Sequence, residues 1–486
     1  MNTTPLPLFV SFLADQAPVP LTPLPPERQG RIYADVPHRY FATAEDLEAY
    51  VGTLRQLGVN VLLLLPHFLP SFSEYVVKDY ERPCRLFGSW ERFAAFMRFV
   101  AAQGLDRMID IPFNHADWQA EHLRREWFIE APTGGKEAGA DDVDADGNRI
   151  RVNWGAFILD NANPALIDYW LERVIFPHVG QYHVNAIRID AAWGLDPNGL
   201  ARLVRETKAR HPHVWFLAEN LGMDKLINLA RSGIAAGAER YFHNMYWYSG
   251  GRGIPADIYR FHKQSGGKPS CAIFASHDTL MPALKALATV QAPRLGHLSD
   301  KALHRQVIER DGLTSLAQLS AEERARVVRL MELEFILAAF QSTDLMFVAG
   351  AERGLLAKVD VLTSGPADFA KGIDSDLPGT MARVLQMKAA DPLFCSEGVL
   401  LPFGEWRRGQ TGCRGYVRTS GRRHLLVAVN TDPAKPAFFR LPKRLREARQ
   451  IYELTPAGRR GPLPKTFGPE LALGPGQAAI LFTPEE

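Results

Sequence analysis

Apolar positions along the first three quarters of the chain alternate between two kinds of pattern. Between Thr43 and Leu57 they recur every three to four residues, which is the spacing of one face of a helix. Thr43 stands before this run as a candidate N-cap, and Gly58 follows it as a stop signal. Residues 59–65 are then apolar except for Asn60, which is typical of a strand buried on both faces.

The same alternation of helix and buried strand continues along the chain. It predicts helices at residues 89–102, 164–177 and 197–210, and strands at residues 107–111, 184–189, 214–218, 271–275 and 345–349. We interpret Leu8–Leu13 as the first strand and the proline-rich residues 17–26 as a surface loop. Because such alternation indicates a parallel sheet with right-handed crossovers, we predict an α/β fold with a (β/α)8 TIM barrel.

Two insertions interrupt the predicted barrel. Residues 116–153, after the third strand, are polar and rich in turn residues, and the Asp-Gly pair at 146–147 is typical of a hairpin turn. Residues 289–342 have a helical pattern, and within them residues 320–323 form a capping-box sequence that begins a long helix.

The pattern changes near Cys395. Aromatic and β-branched runs, separated by turn signals, replace the helical spacing and predict an antiparallel β-sandwich. We therefore expect a barrel domain at residues 1–394, which includes 116–153 as a small inserted domain, and a C-terminal β-sandwich domain at residues 395–486.

Composition and charge exclude several classes of partner. The 56 Lys and Arg residues nearly balance the 54 Asp and Glu residues, so bulk charge does not favour nucleic acid or an anionic membrane. The four cysteines are widely spaced and match no metal-binding spacing, which predicts reduced thiols. The sequence shows neither a basic signal-peptide region nor an apolar run long enough to span a membrane. We expect a cytoplasmic protein.

Charged and histidine side chains interrupt or end several predicted strands. They are Asp110, His115, Arg188, Asp190, Glu219, His277 and Asp278. Two opposite charges inside one buried strand are unfavourable unless they are paired or used. Each residue alone has an ordinary structural explanation, such as a buried ion pair or a hydrogen-bonded core histidine. Their occurrence together at successive strand ends, where parallel barrels carry their sites, favours a catalytic site.

Four segments resemble the signature sequences of the α-amylase family, glycoside hydrolase family 13, and come in the family's order. They are Asp110-Ile-Pro-Phe-Asn114-His115, Ile187-Arg188-Ile-Asp190, Glu219 after its strand, and Ser276-His277-Asp278. Residues 74–80, which include Tyr75, are similar to a further family segment. The resemblance implies a barrel enzyme that acts on α-linked glucosides and needs no cofactor.

The resemblance assigns catalytic roles to three carboxyl groups. Asp190 matches the nucleophile, Glu219 the general acid and base, and Asp278 the carboxylate that binds sugar hydroxyls and helps to distort the ring. Cleavage with retention requires one carboxylate to attack the anomeric carbon and a second carboxyl to protonate the leaving oxygen. Arg188 lies two residues before Asp190 on the same side of the strand, and we expect it to lower the pKa of Asp190. Asp110 is expected to be a structural partner of Arg188 or of the neighbouring loop and not a reactant.

The resemblance also assigns contacts to the substrate. His115 and His277 match the histidines that hydrogen-bond sugar hydroxyls at the cleavage point. Tyr75 matches an aromatic platform for the sugar ring. Asp360 is a candidate contact to the donor sugar.

The chain departs from the family at Trp193 and Gly194. Many members carry a Lys-His pair there, which contacts the acceptor sugar and supplies a backbone calcium ligand. We therefore expect no calcium at this place, and Trp193 is either a platform on the acceptor side or a packing residue. Residues 142–146 resemble the start of a calcium loop, but Asn153 occupies the place of its twelfth-position glutamate. We expect a solvated hairpin turn there and no metal.

The most direct hypothesis is a retaining hydrolase that cleaves α-1,4-linked glucosides of α-glucans or malto-oligosaccharides through a covalent glycosyl-Asp190 intermediate. The first alternative is a transglycosylase, either a 4-α-glucanotransferase or a maltosyltransferase-like enzyme, because residues 354–366 are similar to maltosyl-transfer relatives. The second is a non-catalytic sugar-binding relative, although such relatives usually lack one of the carboxylates. Tyr246, Trp247 and Tyr248 fit either a sugar site or buried packing.

Overall fold

Eight short parallel strands pair side by side and close into a barrel. The computed structural model describes residues 6–220, 237–243, 268–396, 398–402, 412–464, 468 and 470–484. The barrel strands are β1 (Ile32–Val36), β2 (Val61–Leu64), β3 (Asp106–Ile111), β4 (Ala186–Ile189), β5 (Trp215–Asn220), β6 (Arg240–His243), β7 (Ser270–Ile273) and β8 (Asp344–Val348). Each pairs in parallel with its neighbours, and β8 joins β1 to complete the ring. The predicted (β/α)8 barrel is confirmed.

The first barrel strand is not the one that the sequence predicts. Leu8–Leu13 lies instead against Ala478–Phe482, the last strand of the chain, and the N–H of Val10 donates to the carbonyl of Ala478 at 3.0 Å. The prediction was wrong because a continuous apolar run identifies a buried segment and not the sheet that it joins. The true first strand, β1, carries Asp35 within a short run, and this charge concealed it from the apolar pattern.

The helices begin and end at the predicted local signals. Thr43 Oγ1 accepts the N–H of Asp46 at 3.1 Å, and the Asp46 carboxylate accepts the N–H of Thr43 at 3.0 Å. Gly58, with φ of 95°, ends the same helix in the left-handed region. The helices span Ala44–Leu57, Trp90–Ala102, Pro164–Tyr169, Phe176–Gly180, Pro197–Arg210, Pro282–Val290, Ala292–Leu295, Asp300–His304, Ala321–Ala339, Pro366–Phe369, Leu377–Lys388 and Lys443–Arg446. Helical turns of the π type, Trp170–Ile175 and Arg305–Arg310, continue two of them.

Alternate residues of the strands fill the barrel interior in layers. The lower layers are apolar and consist of Tyr33, Val61, Leu63, Met108, Ala186, Leu217, Cys271, Ile273 and Met346. Two residues further along, the same strand faces carry Asp35 on β1, Asp110 on β3, Arg188 on β4 and Glu219 on β5, and all four are buried. The barrel therefore ends in a charged layer at the C-terminal ends of its strands.

The insertion after β3 is a small antiparallel sheet. Its strands are His115–Ala116, Glu137–Val143 and Arg149–Ile158, and the longest lies in the middle. At the hairpin tip the Asp144 carboxylate accepts the N–H groups of Asp146 and Asn148 at 2.9 and 2.8 Å. The predicted hairpin at the Asp-Gly pair is confirmed.

Two ion pairs join this hairpin to the helical insertion after β7. Asp142 pairs with Lys301, and Asp146 pairs with Arg305 at 2.5 Å. We call these four residues the clasp. Because β3 and β7 lie on opposite sides of the eight-stranded ring, the clasp connects insertions that arise on opposite sides of the barrel.

The C-terminal residues form two antiparallel sheets. The larger consists, in spatial order, of Val399–Pro402, Cys413–Ser420, Arg423–Asn430, Ala478–Phe482, Tyr452–Thr455 and Gly458–Arg460; the smaller pairs Ala437–Arg440 with Glu470–Leu473. Both sheets contribute side chains to a shared apolar core that also holds Leu13. The Tyr416 hydroxyl donates to the carbonyl of Leu337 at 2.7 Å and so connects these sheets to a barrel helix. We propose residue 395 as the domain boundary, although residues near the N-terminus pack with the C-terminal sheets.

A search of the described helices for a membrane span finds none of sufficient length and apolar character.

Candidate active site

Arg188 is the centre of the charged layer. Its side chain is fully buried, and the strand register places it beside Asp110. It pairs with Asp110, with Oε1 of Glu219 at 2.8 Å and with Oδ1 of Asp190 at 3.3 Å. One guanidinium therefore bridges three carboxyl groups from three neighbouring strands. This confirms the prediction that Asp110 is a structural partner of Arg188.

The turn after β4 fixes Asp190 and Glu219 relative to each other. The N–H of Asp190 donates to the carbonyl of Ile111 at 3.3 Å, across the gap between β4 and β3. The next residue, Ala191, adopts a left-handed conformation with φ of 44°, which is unfavourable for a residue with a Cβ. In that conformation its N–H donates to Oε2 of Glu219 at 2.7 Å. The strained turn thus holds the Glu219 carboxyl beside the end of β4.

The electrostatic environment of Asp190 differs from the prediction. Burial raises the pKa of Asp190 well above its usual value, and the charges of Glu219, Asp110 and Asp278 raise it further. Arg188 acts in the expected direction, but its charge is divided among three carboxyls and does not outweigh these effects. Glu219 and Asp278 therefore both lie within electrostatic reach of Asp190.

His277 follows β7 and connects the acids to Tyr75. Its ring Nδ1 and its backbone N–H both lie 2.9 Å from Oδ2 of Asp35, and its Nε2 lies 2.9 Å from the Tyr75 hydroxyl and 3.3 Å from Oδ2 of Asp278. The Tyr75 ring stacks on the His277 ring with centroids 5.2 Å apart. The Tyr75 hydroxyl in turn donates to Asp110 at 2.6 Å. A continuous hydrogen-bonded network therefore runs from Asp35 to the Arg188 cluster.

Asp278 is the most solvent-accessible of the three acids, with 36% of its side chain exposed. Although burial acts in the opposite direction, His277, Lys358 and Arg188 together lower the pKa of Asp278. This carboxylate is therefore ionised and reachable from the barrel mouth. Lys358, in the segment after β8, is one of the cations that lower the pKa of Asp278, and the sequence reasoning missed it.

His115 lies on the opposite side of the mouth from His277. Its ring is buried and stands 5.2 Å from the ring of Trp154 in the inserted sheet. Burial lowers the pKa of His115 to about 4, so the ring is neutral near pH 7. Within the described residues its Nδ1 is buried and has no hydrogen-bond partner.

The remaining predicted residues differ in their placement. Trp193 is half-buried in the short turn Ala192–Gly194 that follows Asp190, so it lies beside the site. Asp360 is exposed, and its carboxylate accepts the N–H of Leu362 and the hydroxyl of Thr363, both at 2.7 Å. The contacts of Asp360 thus belong to a local turn and not to the acid cluster. Tyr246, Trp247 and Tyr248 lie outside the described residues.

One group of potential metal ligands lies apart from the acid cluster. The candidate ligand atoms of Asp79, Glu121 and His122 are all within 4.8 Å of one another. Asp79 is buried and accepts the N–H of Glu81 at 2.8 Å, whereas Glu121 and His122 are exposed. That the chain holds no metal stays a prediction.

Asp35 is the site residue that the sequence analysis missed entirely. It follows Tyr33 with the period of two that a strand imposes, and Pro37 lies directly after the strand. An eight-stranded barrel also needs a strand before the helix that starts at Ala44. These two signals together would have located it.

Comparisons with known proteins identify the fold. Neither the protein-family models nor the curated protein sequences contain a match to this chain. Among solved structures, an α-amylase from Geobacillus thermoleovorans, complexed with acarbose, has a TM-score of 0.67 at 13% identity and covers 94% of this chain and 99% of its own. The noncanonic maltogenic α-amylase AmyB from Thermotoga neapolitana has a TM-score of 0.63 at 14% identity, with 94% and 96% covered.

A third similar structure is the trehalose-6-phosphate hydrolase of Bacillus licheniformis. Its TM-score is 0.64 at 12% identity, and the match covers 94% of this chain and 100% of that one. The matches extend over the barrel and the C-terminal sheets alike. The chain therefore has the fold of the α-amylase family of enzymes, a (β/α)8 barrel with a C-terminal antiparallel β-domain.

Proposed function

We propose that this protein is a retaining α-glucan-active glycoside hydrolase that cleaves α-1,4-linked glucosides. The observation that carries the proposal is the bridge that Arg188 makes between Asp190 and Glu219, with contacts of 3.3 and 2.8 Å. A retaining pair of carboxyls lies about 5 Å apart, and two carboxyls on one guanidinium are compatible with that separation. The shared fold of solved α-amylases supports the same assignment.

In the first step, an oxygen of the Asp190 carboxylate attacks the anomeric carbon while Glu219 gives its proton to the departing glycosidic oxygen. The glycosidic bond breaks and a glycosyl ester of Asp190 forms. In the second step Glu219 takes a proton from water, the water oxygen bonds to the anomeric carbon, and Asp190 is released as a carboxylate. The pair begins and ends with one proton in total.

The proposed mechanism requires that Asp190 and Glu219 together carry one proton. Two close carboxyls cannot both ionise at low cost, and the mechanism needs one proton on the pair. Burial and the Glu219 charge raise the pKa of Asp190, while Glu219 itself receives the contacts from Arg188 and Ala191. The reactive complex requires that this proton is on Glu219 when the sugar is bound.

The surrounding residues are suited to hold one sugar ring. Asp278 is an ionised acceptor for sugar hydroxyls, and His277 beside it is a donor. His115 is a neutral ring on the other side of the mouth, and Tyr75, which is half-buried and stacked on His277, is the proposed platform for the sugar ring. Asp360 is not part of this proposal, because its carboxylate is occupied in its own turn.

Transfer to a second sugar is the alternative that a specific observation favours. Trp193 lies half-buried three residues after the proposed nucleophile, where an aromatic ring would favour a sugar over water as the acceptor. One of the similar solved structures is an α-glucosyl transfer enzyme, with a TM-score of 0.60 at 14% identity over 94% of this chain. A non-catalytic role is disfavoured because all three carboxyl groups are present. A cytoplasmic location stays a prediction, and cell fractionation would test it.

Incubation with maltoheptaose tests the proposal. Hydrolysis predicts that only shorter sugars appear, whereas transfer also produces longer ones. Asp190→Asn and Glu219→Gln are expected to lower turnover at least a thousandfold, because each removes one of the two reacting carboxyls. Asp360→Asn is the matched control and should retain wild-type turnover. If wild type and Asp190→Asn turn over every tested α-glucoside equally poorly, the enzymatic proposal is wrong.

A further inference from the structure

Asp35 is a fully buried carboxylate that the proposed mechanism does not use. It lies near the end of β1, and its Oδ2 accepts both the backbone N–H and the ring Nδ1–H of His277 at 2.9 Å. A charged carboxylate is removed from water only at considerable cost unless it is paired. The pairing with His277 is therefore the contact that stabilises Asp35 in the barrel.

The hydrogen bonds around His277 determine where its protons are. Tyr75 has a single hydroxyl proton, which it directs to the carboxylate of Asp110 at 2.6 Å. Its oxygen therefore faces Nε2 of His277 as an acceptor at 2.9 Å, and Oδ2 of Asp278 is a second acceptor for the same nitrogen at 3.3 Å. Asp35 is the acceptor at Nδ1. Both ring nitrogens must donate, and only the cationic imidazolium does so.

We propose that Asp35 is a positioning residue that holds His277 as a permanent cation next to the sugar-binding face. His277 then offers an Nε2–H donor of fixed direction, and its positive charge keeps Asp278 ionised as an acceptor for the same sugar. The role toward a sugar rests on the proposed function, whereas the charge state of His277 does not.

The other charges that face His277 agree with this assignment. Asp278 contributes from the same loop, Asp35 from β1 and Asp110 through Tyr75, while Arg188 opposes them from β4. Although burial disfavours a charged ring, Asp278 and Asp35 raise the pKa of His277 to about 10. The two histidines of the mouth are thus opposite in kind, since burial outweighs a backbone hydrogen bond at Tyr75 and leaves His115 neutral.

Nitrogen NMR of the intact protein, labelled at histidine with 15N, tests the proposal. The ring signals of His277, identified by their loss in His277→Gln, should show both nitrogens protonated at pH 8. In Asp35→Asn the pKa of His277 should fall by about 1–3, which is the usual effect of one close opposite charge. Glu352→Gln is the matched control: it removes another buried carboxyl, bonded to the Tyr50 hydroxyl at 3.0 Å, and should not affect the His277 titration.

A kinetic readout separates positioning from mere structural support. On maltoheptaose, the ratio of kcat/KM at pH 9 to that at pH 7 should fall about tenfold in Asp35→Asn relative to wild type, and Asp35→Glu should restore it in part. A neutral His277 ring in the wild type at pH 8, or an unchanged titration in Asp35→Asn, would overturn the proposal. The wild-type spectrum decides the matter if Asp35→Asn does not fold. The spectrum reports the charge of His277 whether or not the protein turns over an α-glucoside. Failure of the proposed function would instead appear as absence of turnover of maltoheptaose.

Discussion

Replacement of Arg188 by methionine is the perturbation that most affects the charged layer. The guanidinium is fully buried and bridges Asp110, Asp190 and Glu219. Its removal leaves three buried carboxyls without their cation, and breaking a buried ion pair in this way costs about 3–5 kcal/mol of unfolding free energy. We therefore expect Arg188→Met to be strongly destabilised near neutral pH.

The loss should depend on pH in a definite direction. Burial already raises the pKa of Asp110 to about 6 and that of Asp190 well above its usual value, and without Arg188 both rise further. Carboxyls with a raised pKa bind more protons in the folded chain than in the unfolded one, so their contribution to stability falls as pH rises above about 4. Arg188→Met should consequently be closer to wild type at pH 5 than at pH 8.

Urea unfolding at pH 5 and pH 8, followed by tryptophan fluorescence, measures both effects. Arg202→Met is the matched control, because Arg202 pairs with the accessible carboxylates of Asp168 and Glu206. Exposed pairs of this kind contribute less than about 1 kcal/mol. The reasoning is refuted if Arg188→Met loses no more stability than Arg202→Met, or if its loss is the same at the two pH values.

Two further predictions concern the clasp and a buried histidine. Substitution of both Lys301 and Arg305 by alanine removes the ion pairs to Asp142 and Asp146. The rate of turnover of amylose relative to that of maltotriose should then rise, while the midpoint of unfolding stays nearly constant. An unchanged rate ratio would contradict this prediction. Burial lowers the pKa of His178 to about 4, so this ring is harder to protonate in the folded protein than in the unfolded chain. Between pH 6.5 and pH 4 the wild type should therefore lose up to about 3 kcal/mol of unfolding free energy from this group. His178→Gln should reduce that pH dependence in urea unfolding, and an unaltered slope would show that other groups dominate.

The helix–strand alternation could be predicted from the sequence because local signals and burial agree there. The run from Thr43 to Gly58 shows this, since its capping residue, apolar spacing and left-handed glycine each indicate the same helix. The strand at the start of the barrel could not be found in this way. Asp35 breaks its apolar run, and the pairing that stabilises this charge comes from His277, 242 residues away.

For the acids, the positions could be predicted from the sequence but the electrostatic environment could not. Asp190 and Glu219 were assigned from motif resemblance and strand ends, and the structure places both beside Arg188. Arg188 lowers the pKa of Asp190 as predicted, but the net shift of that pKa is upward because burial and the neighbouring carboxyls outweigh it. A sequence shows one cation two residues from one acid, but it does not show that three acids share that cation.

The central claim is that Asp190 forms a covalent bond to the sugar. It is tested most directly by incubation with a 5-fluoro-α-glucosyl fluoride, which slows the breakdown of a glycosyl ester, followed by peptic digestion and mass spectrometry. The account predicts one peptide that is heavier by a single fluoroglucosyl group, with the modification on Asp190, and no such peptide from Asp190→Asn. A labelled peptide that carries the sugar on Glu219 or Asp278, or substrate consumption with no covalent adduct, would contradict it.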